Sequence, residues 1–154
     1  MKGKTTPPKR IKIVPDDYHA DMVGKTKDLR QFFVTTPFTA SHPETKKSCE
    51  FISVFIWEKD GRFKEAIIDN LGPRADLDEE ERRRKYDNRI KDLGEIIITT
   101  IDVAPFEVER FGLKFGLIYS STLFDGEDEP YESVNLHPGD YMSFYPPWDG
   151  DYDT

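Results

Sequence analysis

The sequence predicts an α+β domain: a mainly antiparallel sheet of about eight strands arranged in hairpins, with one long helix at about residues 76–93 packed on it. Three observations carry that reading. Residues 51–68 form two strand-like segments around Asp60-Gly61, a pair that accepts the positive φ of a tight hairpin turn. Residues 76–93 place Asp78, Glu79, Glu80 and Glu81 ahead of a basic run, with Tyr86, Ile90 and Leu93 at helical spacing. Finally, 7 Tyr, 11 Phe and 2 Trp supply the core-building mass that disordered chains lack, although only 36% of the chain is apolar and 34% is charged.

The 154 residues suit one domain. Residues 1–9 carry Lys2, Lys4 and Lys9 with two prolines and nothing to bury, so a flexible basic tail is expected, followed by a single domain over 10–154 with an acidic C-terminal segment. Ile11, Ile13 and Val14 suggest a first short strand. The stretch 30–36 has strong β composition and stops at Pro37, and the polar residues that follow, through Lys47, read as a loop. In the segment 51–57, Phe51, Phe55 and Trp57 fall on one face and Ile52, Val54 and Ile56 on the other, which predicts a central strand covered on both sides.

The helix is the natural cover. Asp76 or Asp78 can cap its start and Gly94 ends it. Its apolar stripe is thin, so only the C-terminal half is expected to bury well. Downstream, residues 95–101 are rich in Ile, and 106–110 and 113–119 flank Phe111-Gly112 as a hairpin. Residues 133–136 and 141–145 flank the turn sequence His137-Pro138-Gly139-Asp140.

Composition narrows the function classes. A net charge of -8 disfavours attraction to a phosphate backbone, so nucleic acid is not expected as a partner. The run Arg82-Arg83-Arg84-Lys85 does not reverse this, because Asp78, Glu79, Glu80 and Glu81 stand one helical turn earlier. No stretch approaches the roughly 20 apolar residues of a membrane-spanning helix. Pro7 and Pro8 break the basic start before any signal-length apolar run, so a cytoplasmic location and no membrane partner are expected. The single cysteine, Cys49, forms no intramolecular disulfide and is expected as a buried small hydrophobe.

The strongest asymmetry is electrical. Residues 122–154 hold nine acids, Asp125, Glu127, Asp128, Glu129, Glu132, Asp140, Asp149, Asp151 and Asp153, and no Lys or Arg. Within that third, Tyr145, Trp148 and Tyr152 alternate with prolines and carboxylates, which combines large rings with low ordering cost. The expectation is a non-catalytic module that engages a basic partner protein through Asp125, Glu127, Asp128, Glu129, Tyr145, Trp148, Asp149, Asp151, Tyr152 and Asp153. Small acidic antidote and immunity proteins share this composition, an analogy of composition alone. The same segment is also readable as a structural latch folded back on the sheet.

The alternative is a small metal-assisted hydrolase in which His19, Asp21, His137 and Asp140 converge. Neither His pair has helical metal-motif spacing, and Asp149, Asp151 and Asp153 lack the glycine and distal glutamate of a calcium loop. Phosphate-loop, dinucleotide and nucleophile-elbow patterns are absent, and no cofactor is expected. A homo-oligomer, with a second subunit covering part of strand 51–57, is the third reading.

Overall fold

The computed structural model describes residues 6–42, 46–139 and 141–154, so residues 1–5 of the tail expected over 1–9 lie outside the described residues. In chain order the strands are β1 (Ile11–Ile13), β2 (Val23–Thr26), β3 (Gln31–Thr35), β4 (Phe38–Thr39), β5 (Cys49–Trp57) and β6 (Phe63–Pro73). One turn of 3-10 helix over Arg74–Asp76 precedes α1 (Glu79–Asp92). There follow β7 (Ile96–Ile98), β8 (Ile101–Val103), β9 (Phe106–Arg110), β10 (Leu113–Thr122), β11 (Tyr131–His137), β12 (Ser143–Phe144) and β13 (Tyr152–Asp153). All pairings are antiparallel, and the fold is α+β as its sequence predicts.

The expected hairpin around Asp60-Gly61 is the spine of the larger sheet. β5 pairs with β6 along its whole length, β3 and β4 share its other edge, and β2 and then β7 follow beyond β3. Asp60 Oδ1 accepts the Arg62 N–H at 3.1 Å, and Gly61 takes φ +93. A Cβ at Gly61 would meet the Asp102 carbonyl at 2.8 Å, so the turn needs glycine both for its φ and for the approach of the chain beside it. A second sheet runs in the order β13-β12-β11-β10-β9, and β1 pairs with β8 as a separate two-stranded ribbon.

One core joins all three sheets. Phe33, Phe51, Phe55 and Trp57 from the larger sheet meet Phe115, Leu117, Val134, Leu136 and Phe144 from the five-stranded one, with Ile11, Ile13, Ile101 and Val103 between them. The rings pack edge to face, Phe51 on Phe115 at 5.1 Å and Phe55 on Phe106 at 4.8 Å between centroids, the geometry that the ring quadrupole favours. Trp57 Nε1 donates to the Ala104 carbonyl at 2.9 Å. Buried Gln31 accepts from the Asp102 N–H at 2.7 Å and donates to the Asp102 carbonyl at 3.1 Å. These bonds satisfy polar groups that burial would otherwise penalise. Cys49 is buried, as expected.

The opposite face of the larger sheet carries a smaller cluster of Phe32, Val34, Val54 and Ile56. It is covered by Tyr86 and Ile90 of α1 and Leu93 at its C-cap, together with Met22, Ile67 and Ile96. β5 is therefore covered on both faces by its own chain, and the molecule has three layers: five-stranded sheet, six-stranded sheet, helix. α1 starts at Asp78, whose Oδ1 accepts from the Glu80 and Glu81 N–H groups at 3.0 and 3.2 Å. It ends at Gly94, with φ +75. No residue of the helix is fully buried. It is held by its half-buried stripe and by Arg89, which grips Asp69 of β6 at 2.7 and 2.8 Å.

Candidate binding face and cleft

The C-terminal segment is woven into the fold. Phe144 pairs with Val134 and with Tyr152, which makes β13 the edge of the five-stranded sheet. Trp148 and Tyr152 pack against the main core, and the Trp148 carbonyl accepts from the Lys12 N–H at 3.0 Å. Tyr152 donates its hydroxyl to Asp16. Burial and that carboxylate push the Tyr152 phenol up to about 12. Against the upward pull of burial, the bonds from Tyr152 and from the Ala20 and Tyr18 N–H groups hold Asp16 below the usual carboxylate range.

Strand direction decides where the acids go. β11 runs away from the β10–β11 tip, residues 123–130, and β12 runs back toward it. The loop 145–151 thus lies at the same end of the sheet as the tip. Asp125, Glu127, Asp128 and Glu129 on the tip are exposed, as are Asp149, Asp151 and Asp153. Leu123 and Phe124 stand out beside the tip acids at 56% and 57% exposure. A small pocket of about 340 Å³ at the base of the tip is lined by Tyr131, Glu132, Tyr145, Pro146 and Asp153. The Tyr145 phenol there is raised by desolvation and then by Asp151, Asp153 and Asp149 around it. Among the described residues, no Lys or Arg forms an ion pair with Asp125, Glu127, Glu129, Asp149, Asp151 or Asp153.

Of the rings named from the sequence, Tyr145 is the one whose neighbours are these carboxylates, while Trp148 and Tyr152 support the segment from below. Sequence reasoning missed Tyr131, Leu123 and Phe124. Tyr131 joins the face only because β11 lies beside β12, a pairing that spacing along the chain does not reveal.

A second, larger feature lies between α1 and the 18–21 loop: a cleft of about 610 Å³ whose lining includes Tyr18, His19, Asp21, Glu50, Arg74, Arg82, Arg83, Tyr86, Asp87 and Tyr141. His19 and Asp21 from the hydrolase reading both line it. The His19 ring, however, packs on Tyr18 at 3.7 Å and on Tyr141 at 4.8 Å between centroids. His137 ends β11 opposite Gly116, and Asp140 lies outside the described residues. Among the described residues, no group of three or more His, Cys, Asp or Glu side chains is placed to hold a metal ion.

At the cleft floor, Glu50 bonds Arg74 at 3.1–3.2 Å and faces Arg82 Nε at 3.4 Å. Tyr141 is hydrogen-bonded to Thr35, and burial pushes its phenol up to about 12. Burial raises the Tyr86 phenol, with Asp21 and Asp87 adding to the shift and Arg82 opposing it.

Fold and site together define a three-layer antiparallel α+β protein with an acidic, aromatic end and a charged cleft. No protein-family model matches the chain, and neither a curated protein nor a solved structure does. Among the described residues, no helix is long and apolar enough to cross a membrane.

Proposed function

We propose that the protein is a non-catalytic binding module that engages a basic partner protein through its acidic end. The observation that carries this reading is the segment 145–153, which holds exposed Asp149, Asp151 and Asp153 next to Tyr145, with Tyr145, half-exposed Tyr131 and Asp153 lining one pocket and no base paired to the three acids among the described residues. Like charges held together without compensation cost stability, and their concentrated field accelerates encounter with a basic surface. The rings supply what charge alone does not, since Tyr in a partly desolvated pocket is a common binding anchor. Leu123 and Phe124 at the tip offer a second apolar contact.

The experiment compares the full chain with an Asp149→Asn/Asp151→Asn/Asp153→Asn variant as baits in extract of the native host, at ionic strengths of about 0.05 and 0.5 M. The expected result is one basic protein retained by the full chain and released by salt. The triple variant should lose it, and Tyr131→Ala should weaken it. Equal retention by the triple variant, or no protein that distinguishes the two baits, overturns the proposal.

A further inference from the structure

The cleft between α1 and the 18–21 loop carries charge of both signs in an unusual layout. Toward the start of α1, three guanidinium groups, Arg74, Arg82 and Arg83, line it against the single carboxylate of Glu50. Glu50 satisfies Arg74 at 3.1 Å. Arg82 is paired only by charge, 3.4 Å from Glu50 and 3.8 Å from Glu79, and its buried Nε makes no hydrogen bond among the described residues. Arg83 makes no side-chain hydrogen bond or ion pair among the described residues. Its expected partner, Glu79, approaches Arg82 instead.

One turn further along α1 the sign reverses. Asp87 lines the cleft with Asp21, and neither makes a side-chain hydrogen bond or ion pair among the described residues. Rings lie around this divided charge. Phe38 and Tyr141 are stacked at 6.1 Å, with Arg74 over Phe38 at 5.2 Å, and Tyr18 stands at the rim 65% exposed. A volume of about 610 Å³ falls within the usual range for small-molecule sites, about 300–1,000 Å³.

We infer that this cleft binds a small zwitterion of the aromatic α-amino-acid class. Its carboxylate is held by Arg83 and Arg82, its ammonium by Asp21 and Asp87, and its ring lies among Tyr18, Phe38 and Tyr141. A bare anion would meet the two carboxylates, and a bare cation would meet the guanidinium excess. Only a ligand with both charges satisfies both walls, and like-charge contact is an effective way to reject the wrong ligand. This site is separate from the acidic end, and its test is independent of the partner protein.

The test is calorimetric titration of the full chain with L-phenylalanine, 3-phenylpropanoate and 2-phenylethylamine, three probes that share the ring and differ in charge. L-Phenylalanine is expected to bind at least about tenfold more tightly than either single-charge analogue. Arg83→Ala should weaken L-phenylalanine and leave 2-phenylethylamine unchanged. Asp87→Asn should weaken both L-phenylalanine and 2-phenylethylamine and leave 3-phenylpropanoate unchanged. Both residues are exposed where they line the cleft, and unchanged circular dichroism verifies the fold. Equal affinity for all three probes, or no heat from any of them at about 10 mM, overturns the inference.

Discussion

Asp69 and Arg89 meet through two parallel bonds, and this contact is the main polar link between α1 and the sheet beneath it. The Arg89 guanidinium holds Asp69 below its ordinary value of 3.8, against the upward pull of burial. A carboxylate depressed in the folded state stabilises the fold above its unfolded pKa, and that stabilisation is lost as pH falls through the folded value. The contribution is therefore complete above about pH 5 and fades in the acid limb below it. Asp69→Asn is expected to lower stability at neutral pH by about 1 kcal/mol, the upper end for a partly exposed pair, and to flatten the acid limb. Urea unfolding at several pH values measures this, and an Asn variant with an unchanged acid limb would exclude it. Other residue-scale features lay beyond sequence reasoning. His19 and Asp21 share the cleft, yet His19 is engaged by Tyr18 and Tyr141, and ring neighbours from distant segments leave no mark in local spacing.

At the scale of elements, the C-terminal strand has a consequence for experiment. β13 completes a sheet edge, and the segment leading to it closes over the core through Trp148, Tyr152 and the Lys12–Trp148 backbone bond. Deleting residues 148–154 is expected to cost about 2–4 kcal/mol, through lost apolar cover and exposed backbone partners. Neutralising Asp149, Asp151 and Asp153, all exposed, should change stability by less than about 1 kcal/mol. Urea midpoints of the two variants separate latch from surface, and a truncation as stable as the full chain would show that the segment is not structural. The strongly patterned elements were legible in the sequence: β1, β3, the β5–β6 hairpin, α1 and the β9–β10 hairpin. β2 was not, because four residues with Gly24 and Lys25 between two β-branched ends are too short and mixed a pattern to stand out. It pairs because Gly24 lets the Ile97 carbonyl come within 2.0 Å of where a Cβ would stand. The Ile-rich stretch 95–101 breaks at Thr99-Thr100, and its halves join different sheets, a division that composition does not mark. Two-residue strands such as β4 and β12 exist only through their neighbours. The acids of the acidic end were legible from composition, whereas the cleft was not, because its walls come from segments far apart in the chain.

Across the whole molecule, the two sides of the larger sheet are unequal. Toward the five-stranded sheet lies the main aromatic core, with Phe33, Phe51, Phe55 and Trp57 at 0% exposure. Toward α1 lie four buried residues, covered by a helix that buries none of its own fully. Regions with few buried apolar contacts open locally at free energies below that of global unfolding. α1 is therefore expected to exchange its amide hydrogens through a sub-global opening, while β5 and β10 exchange only when the whole fold opens. The same asymmetry governs substitutions. Phe55→Ala, in the main core, should cost about 3–5 kcal/mol and speed exchange throughout. Ile90→Ala, on the half-buried helix stripe, should cost less and act chiefly on residues 79–92. Native-state hydrogen exchange at low denaturant distinguishes the cases residue by residue. If α1 is protected as strongly as β5, or Ile90→Ala weakens β10 as much as α1, the helix is an equal member of one cooperative unit. In the expected case, the helical wall of the cleft can open while the sheet bearing the acidic end stays folded.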